Sequence, residues 1–140
     1  MPAGSDGWAM LLLADPDAAG RVGLSAVTAY APQGAAATRK QQLFFAAMAG
    51  LGRLSPSDVE SGAERLEVPV AAQNAWTRAI DRAAREGQAG TVVLLSAIGM
   101  QAGSWAGVPP VALYRIVASL RAVGLDGEAR MIAAEAIART

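Results

Sequence analysis

The chain predicts an all-α protein of antiparallel helical hairpins stacked as a short irregular α-solenoid, with an irregular α-helical bundle as the alternative. Three observations carry this. Alanine supplies 33 of the 140 residues; it is the strongest helix former and lets helix axes approach closely. Aromatic residues make up 5% of the chain and β-branched ones are sparse, which argues against an extensive sheet. Finally, a pattern recurs at a spacing of 37 residues: the run 75–80 leads to Gly87, and the run 112–117 leads to Gly124. Each glycine is followed three residues later by another, Gly90 or Gly127, and then by a second apolar run. A helix, a glycine turn and an antiparallel helix, used twice, produce such a pattern.

Ser5 or Asp6 caps a short first helix through Trp8, Leu11 and Leu12, ending before Asp15-Pro16. Asp15 as cap and Pro16 at the first helical position predict a second helix over 16–30, after which Pro32 and Gly34 break the chain. A third, over 35–51, sets Leu43, Phe44, Ala47, Met48 and Leu51 along one face. Ser55-Pro56 starts a fourth over 56–66, with Val59, Ala63 and Leu66 inward. The fifth runs from Pro69 or Val70 to Glu86, Gly87 to Gly90 turn, and the sixth spans 91–102. This sixth helix is apolar on nearly every side (Val92, Val93, Leu94, Leu95, Ile98, Met100) and is expected to lie between neighbours. A loop over 103–108 carries Trp105; Pro109-Pro110 opens the seventh helix, to Val123; Gly124 to Gly127 turn; and the eighth covers 128–139. The whole is one domain, 1–140: a linker-like start (1–7), two irregular helix pairs (8–67) and two repeat-like hairpins (69–103 and 109–139).

Composition narrows function. Twelve basic residues balance twelve acidic ones, so no net field draws the chain to nucleic acid or to an anionic membrane. The most hydrophobic run, Thr91 to Met100, is half the length of a bilayer span, about 20 residues. The chain is therefore expected to be soluble, with its compartment left open between the cytoplasm, which is favoured, and the periplasm if it belongs to an exported protein; its linker-like start suggests a portion of a larger bacterial protein. With no histidine and no cysteine, the usual proton shuttle, thiol nucleophile and most transition-metal ligands are missing. Asp81 and Glu86 are interleaved with Arg78, Arg82 and Arg85, the pattern of a solvated helix face. No catalytic, cofactor or metal residue is expected.

Residues 110–139 resemble a tetratricopeptide repeat. Leu113, Val117, Leu120, Gly124, Glu128-Ala129, Ala133 and Ala136-Ile137 fall at that family's spacings, and Trp76, Ile80, Ala83 and Gly87 repeat the first half of the pattern. In the earlier copy Thr91-Val92 stands where the family has a Glu-Ala pair. The resemblance implies a non-catalytic interaction or scaffold module whose first helices line a concave groove. Its inward positions fall at Asn74, Thr77, Asp81 and Arg85, then at Val111, Tyr114, Ala118 and Arg121, with Trp105 near the edge. Arginine and tyrosine there suit a peptide or acidic tail. The lysine and asparagine arrangement of the family's carboxylate clamp is missing, so that ligand is not implied. Self-association through an uncapped terminal repeat, or service as an accessory domain of an enzyme, are the alternative roles. Trp105 itself, in a Gly-Ser-Trp-Ala-Gly loop, is either tucked onto the adjacent hairpin or offered to a partner.

Overall fold

The computed structural model describes residues 2–18 and 23–140. Among them the chain is helical, without strands: α1 (Asp6–Ala14), α2 (Leu24–Ala29), α3 (Ala37–Gly50), α4 (Pro56–Leu66), α5 (Ala75–Arg85), α6 (Ala89–Gly99), α7 (Pro110–Ala122) and α8 (Asp126–Ala138). A 3-10 turn, Trp105–Gly107, lies between α6 and α7.

Side-chain oxygens fix where several helices begin. Ser5 Oγ accepts the Trp8 N–H and Ser55 Oγ the Asp58 N–H, each at 3.2 Å, satisfying amides that have no partner within the helix. Asn74 and Thr77 cap α5 reciprocally: Asn74 Oδ1 accepts the Thr77 N–H at 2.9 Å and Thr77 Oγ1 accepts the Asn74 N–H at 2.8 Å. That box starts α5 at Ala75, later than the expected 69 or 70, and leaves 69–73 as a turn-rich joint. Gly87 and Gly124 hold φ of 70° and 87°, the left-handed turn that ends α5 and α7; Gly127 instead enters α8 as its second residue. Asp15 caps no helix at Pro16. Its Oδ1 accepts the Asp17 N–H at 2.8 Å in a local turn. Of the expected helix 16–30, residues 24–29 are helical and 19–22 lie outside the described residues.

The centre of the molecule is α3. Every residue from Leu43 to Gly50 is buried, so this half-helix is covered on all sides. Phe44 stacks edge-on against Tyr30 with centroids 4.9 Å apart, and small residues let the neighbours close in. A Cβ on Gly50 would stand 2.9 Å from the Tyr114 carbonyl oxygen of α7, and one on Gly62 of α4 would strike the Phe45 ring. The polar half of α3 serves neighbouring termini instead: Gln41 Nε2 donates to the Tyr30 carbonyl at 3.2 Å, and Gln42 Nε2 to the Leu66 carbonyl at 3.0 Å.

Two antiparallel hairpins, α5–α6 and α7–α8, make up the second half, and α7 packs against both α5 and α6. On its other side α7 receives α3, which also touches α8, while α1 lies along α8. The first and last helices are thus neighbours. Within α5–α6 the Trp76 ring lies over Gly99 and its Nε1 donates to the Leu95 carbonyl at 2.8 Å. The expectation that α6 lies between neighbours fails: Val92 and Ser96 are buried, but Val93, Leu94 and Ile98 are 49%, 62% and 47% exposed. Side chains on opposite sides of one helix need two covering layers, and the described chain supplies one.

Candidate functional site

The polar joint 69–73, the outer side of α5 and the free side of α7 meet around Arg115. Its guanidinium pairs with Asp81 of α5 and donates to the Val70 carbonyl at 2.9 Å and the Ala72 carbonyl at 3.2 Å. It also lies over the Tyr114 ring, 5.8 Å from the centroid, a favourable cation–π placement. The pair neutralises Asp81 and fixes the joint against α7. Beside it, Gln73, Arg78, Asp81, Arg82 and Arg85 line a groove of about 360 Å³. Arg82 pairs with Glu86 at 3.1 Å. Arg78 and Arg85 are exposed and have no ion-pair partner among the described residues.

α7 is gripped from two sides. Through Arg115 it meets α5; through the Tyr114 carbonyl, Val117 and Arg121 it meets the end of α3, where the Arg121 guanidinium lies over Gly52. Helical spacing puts Val111 and Ala118 between those two contacts, and both are partly exposed. Val111 and Ala118 thus lie on α7 between the side that meets α5 and the side that meets the C-terminal end of α3. Arg121 is exposed and, among the described residues, pairs with no carboxylate.

The residues anticipated from sequence fall into three groups. Asp81 and Arg85 line the groove on α5, and Tyr114, half-buried, and Arg121 stand on the α3 side of α7. Asn74 and Thr77 are spent on the cap; Thr77 is 2% exposed and offers nothing to a partner. Trp105 is elsewhere. Half-buried and packed against the core, it lines a separate cavity of about 390 Å³ with Met100, Val108 and Arg139; it is tucked onto the adjacent hairpin.

Arg115, which organises the site, had no visible role in the sequence because its partner Asp81 lies 34 residues away. Local spacing reports only neighbours within a helix. Arg78 was legible as part of a charged face, but not as unpaired. Among the described residues no three carboxylates gather as a metal site, and no helix is long and apolar enough to cross a membrane. Compared with protein-family models, with curated proteins and with solved structures, the chain matches none.

Proposed function

We propose that this chain is a non-catalytic protein-interaction module that takes an acidic, extended segment of a partner protein along the face of α7 between α5 and α3. The observation that carries the reading is the charge state around that face. Asp81 is already neutralised by Arg115, while Arg78 and Arg85 on α5 and Arg121 on α7 have no carboxylate partner among the described residues, and Val111 and Ala118 lie partly exposed on α7 between its contacts with α5 and α3. Guanidinium groups present a planar fork that matches carboxylates, and Tyr114 adds a rigid amphipathic surface. The same reading treats the fold as a short tetratricopeptide-like stack. In its support, α7 packs against both helices of the preceding hairpin, as successive hairpins of such arrays do.

The test is selection from a displayed random-peptide library against the wild type, followed by binding of the selected peptides to an Arg85→Glu/Arg121→Glu variant. Both positions are exposed, and because Arg121 also lies over Gly52, a thermal melt of the variant checks that its fold is kept. The expected outcome is enrichment of peptides rich in Asp and Glu that bind the variant at least about tenfold more weakly, as loss of two charge-assisted contacts implies. Selected peptides that bind both proteins equally would place recognition outside that face.

A further inference from the structure

The outer side of the α5–α6 hairpin is a second surface, independent of that face of α7. Residues 89–99 contain no ionisable side chain. Val92, Ser96 and the partly buried Leu95 turn inward, while Gly90, Thr91, Val93, Leu94, Ala97 and Ile98 are exposed. On α5, Ala79 and Glu86 continue the row of Trp76 and Ala83 that faces α6; Ala79 is exposed, and Glu86 is neutralised by Arg82 at 3.1 Å. The result is a nearly uncharged apolar strip beside a row of small residues. The opposite side of the same hairpin is covered by α7.

We propose that this strip binds a second copy of the chain, with the two α6 helices antiparallel about a twofold axis near Leu94. Charge selects the occupant. A nucleic acid or an anionic bilayer needs cations on the contact face, and the unpaired arginines Arg78 and Arg85 line the groove at Gln73 and Asp81 instead. An identical uncharged strip meets this one with no like-charge penalty, and a self-complementary patch is what a closed dimer requires.

Shape points the same way. An axis at residue 94 sets residue 90 of one copy opposite residue 98 of the other, so Ile98 of each copy enters the recess over Gly90 of its mate. A Cβ built on Gly90 meets nothing within 4 Å, so packing within the chain does not call for a glycine there. Elsewhere this chain uses the same device, with the Trp76 ring seated over Gly99. A helix of 11 residues is about 16 Å long, so two such strips bury under roughly 1,000 Å², the lower end of specific interfaces. The dimer is therefore weak and concentration-dependent.

Sedimentation equilibrium from about 10 µM to about 1 mM, the range where small interfaces associate, gives the first reading. The apparent mass of the wild type is expected to rise from 14.3 kDa towards twice that value. Leu94→Glu is expected to stay monomeric throughout with an unchanged melting temperature, since Leu94 is exposed. The chain has no cysteine, so Leu94→Cys with a short bis-maleimide cross-linker reads the axis directly. Covalent dimers should form with Leu94→Cys and not with Met131→Cys, although Met131 is 71% exposed. Wild type that stays monomeric at about 1 mM, equal cross-linking at both positions, or a Leu94→Glu protein that still dimerises would each overturn the proposal. So would wild type that remains monomeric but pellets with phosphatidylcholine vesicles, because the strip would then be meeting lipid.

Discussion

Arg53 carries its charge into a buried position, 5% exposed, where its guanidinium donates to the Leu12 carbonyl and, at 2.6 Å, to the Asp15 carbonyl. Those carbonyls close α1, whose C-terminal end is the negative pole of the helix dipole, and Arg130 adds a bond to the Ala14 carbonyl at 2.7 Å. Burial pushes the Arg53 pKa down, and the nearby Asp126 and Asp15 work against that. Arg53→Met keeps the stem and removes the head, so it should cost about 3–6 kcal/mol in urea unfolding, the worth of two bonds to a charged group. Arg53→Met with an unchanged midpoint would mean that water satisfies those carbonyls equally well. Asp6 ties the other end of α1 to the body, accepting from the Tyr30 hydroxyl at 2.7 Å and from the Lys40 ammonium at 2.5 Å. Burial raises its pKa, but Lys40 and Tyr30 outweigh that and hold the carboxyl below its ordinary value. A lowered folded-state pKa contributes stability that is present above the unfolded value, about 4, and is lost as pH falls through the folded value. Asp6→Asn should therefore cost about 1 kcal/mol at neutral pH, a modest figure because the carboxylate is partly solvated. The difference between variant and wild type should shrink as pH falls through the lowered folded-state value.

At the scale of single elements, legibility followed the reach of the signal. α4 was readable to its first and last residues, because Ser55 and Pro56 act on the amides immediately beside them. The ends of α5 and α7 were readable for a similar reason. Gly124 has φ 87° with open space around it, so Gly124→Val suffers from conformation alone and should lose more than about 1 kcal/mol in thermal melts. The start of α5 was misread because Pro69 is a plausible first residue of a helix, whereas the Asn74–Thr77 box that sets it depends on which of two competing caps the packing favours. The inward face of α3 was legible, at Leu43, Phe44, Ala47, Met48 and Leu51, but its all-round burial was not, and α6 was expected to be more covered than it is. Uniform apolarity suggested that α6 was the sandwiched helix, yet α3, half polar, holds the centre because Ala46, Ala47, Ala49 and Gly50 let α7 and α4 approach. Hydrophobicity measures the drive to be covered, but side-chain size decides who can cover it. The placement of Asp81 and Arg85 on one side of α5 and of Tyr114 and Arg121 on one side of α7 was legible from helical spacing; Arg115 was not, since its role exists only once the joint 69–73 has folded back.

For the molecule as a whole, the contacts that matter most join segments far apart in sequence: α1 with α8 and α3 with α7. Alanine-rich faces carry no local mark of their partner, so the pairing of the first helix with the last was not legible. It has a consequence for cooperativity. In an open array each repeat touches only its neighbours and the ends fray independently. Here α1 buries Ala9 and Leu13, and α8 buries Ala129, Ala133, Ala136 and Ile137, all in one core cluster, with Arg130 reaching across to the Ala14 carbonyl. Opening α1 exposes α8 as well and removes part of the support of α3. Hydrogen exchange should accordingly show the slowest amides of α1 opening together with those of α8 and α3, at the free energy of global unfolding. α6 has one side uncovered in the monomer and should open at a free energy about 1–2 kcal/mol lower. Measuring at about 10 µM, where a weak dimer is dissociated, keeps self-association from masking the difference. If α1 exchanges well before α8, the terminal helices are independent and the chain behaves as an open array of hairpins. If α6 exchanges as slowly as α3, its inner contacts with α5 and α7 hold it fully, and the exposed strip gives that helix no freedom of its own.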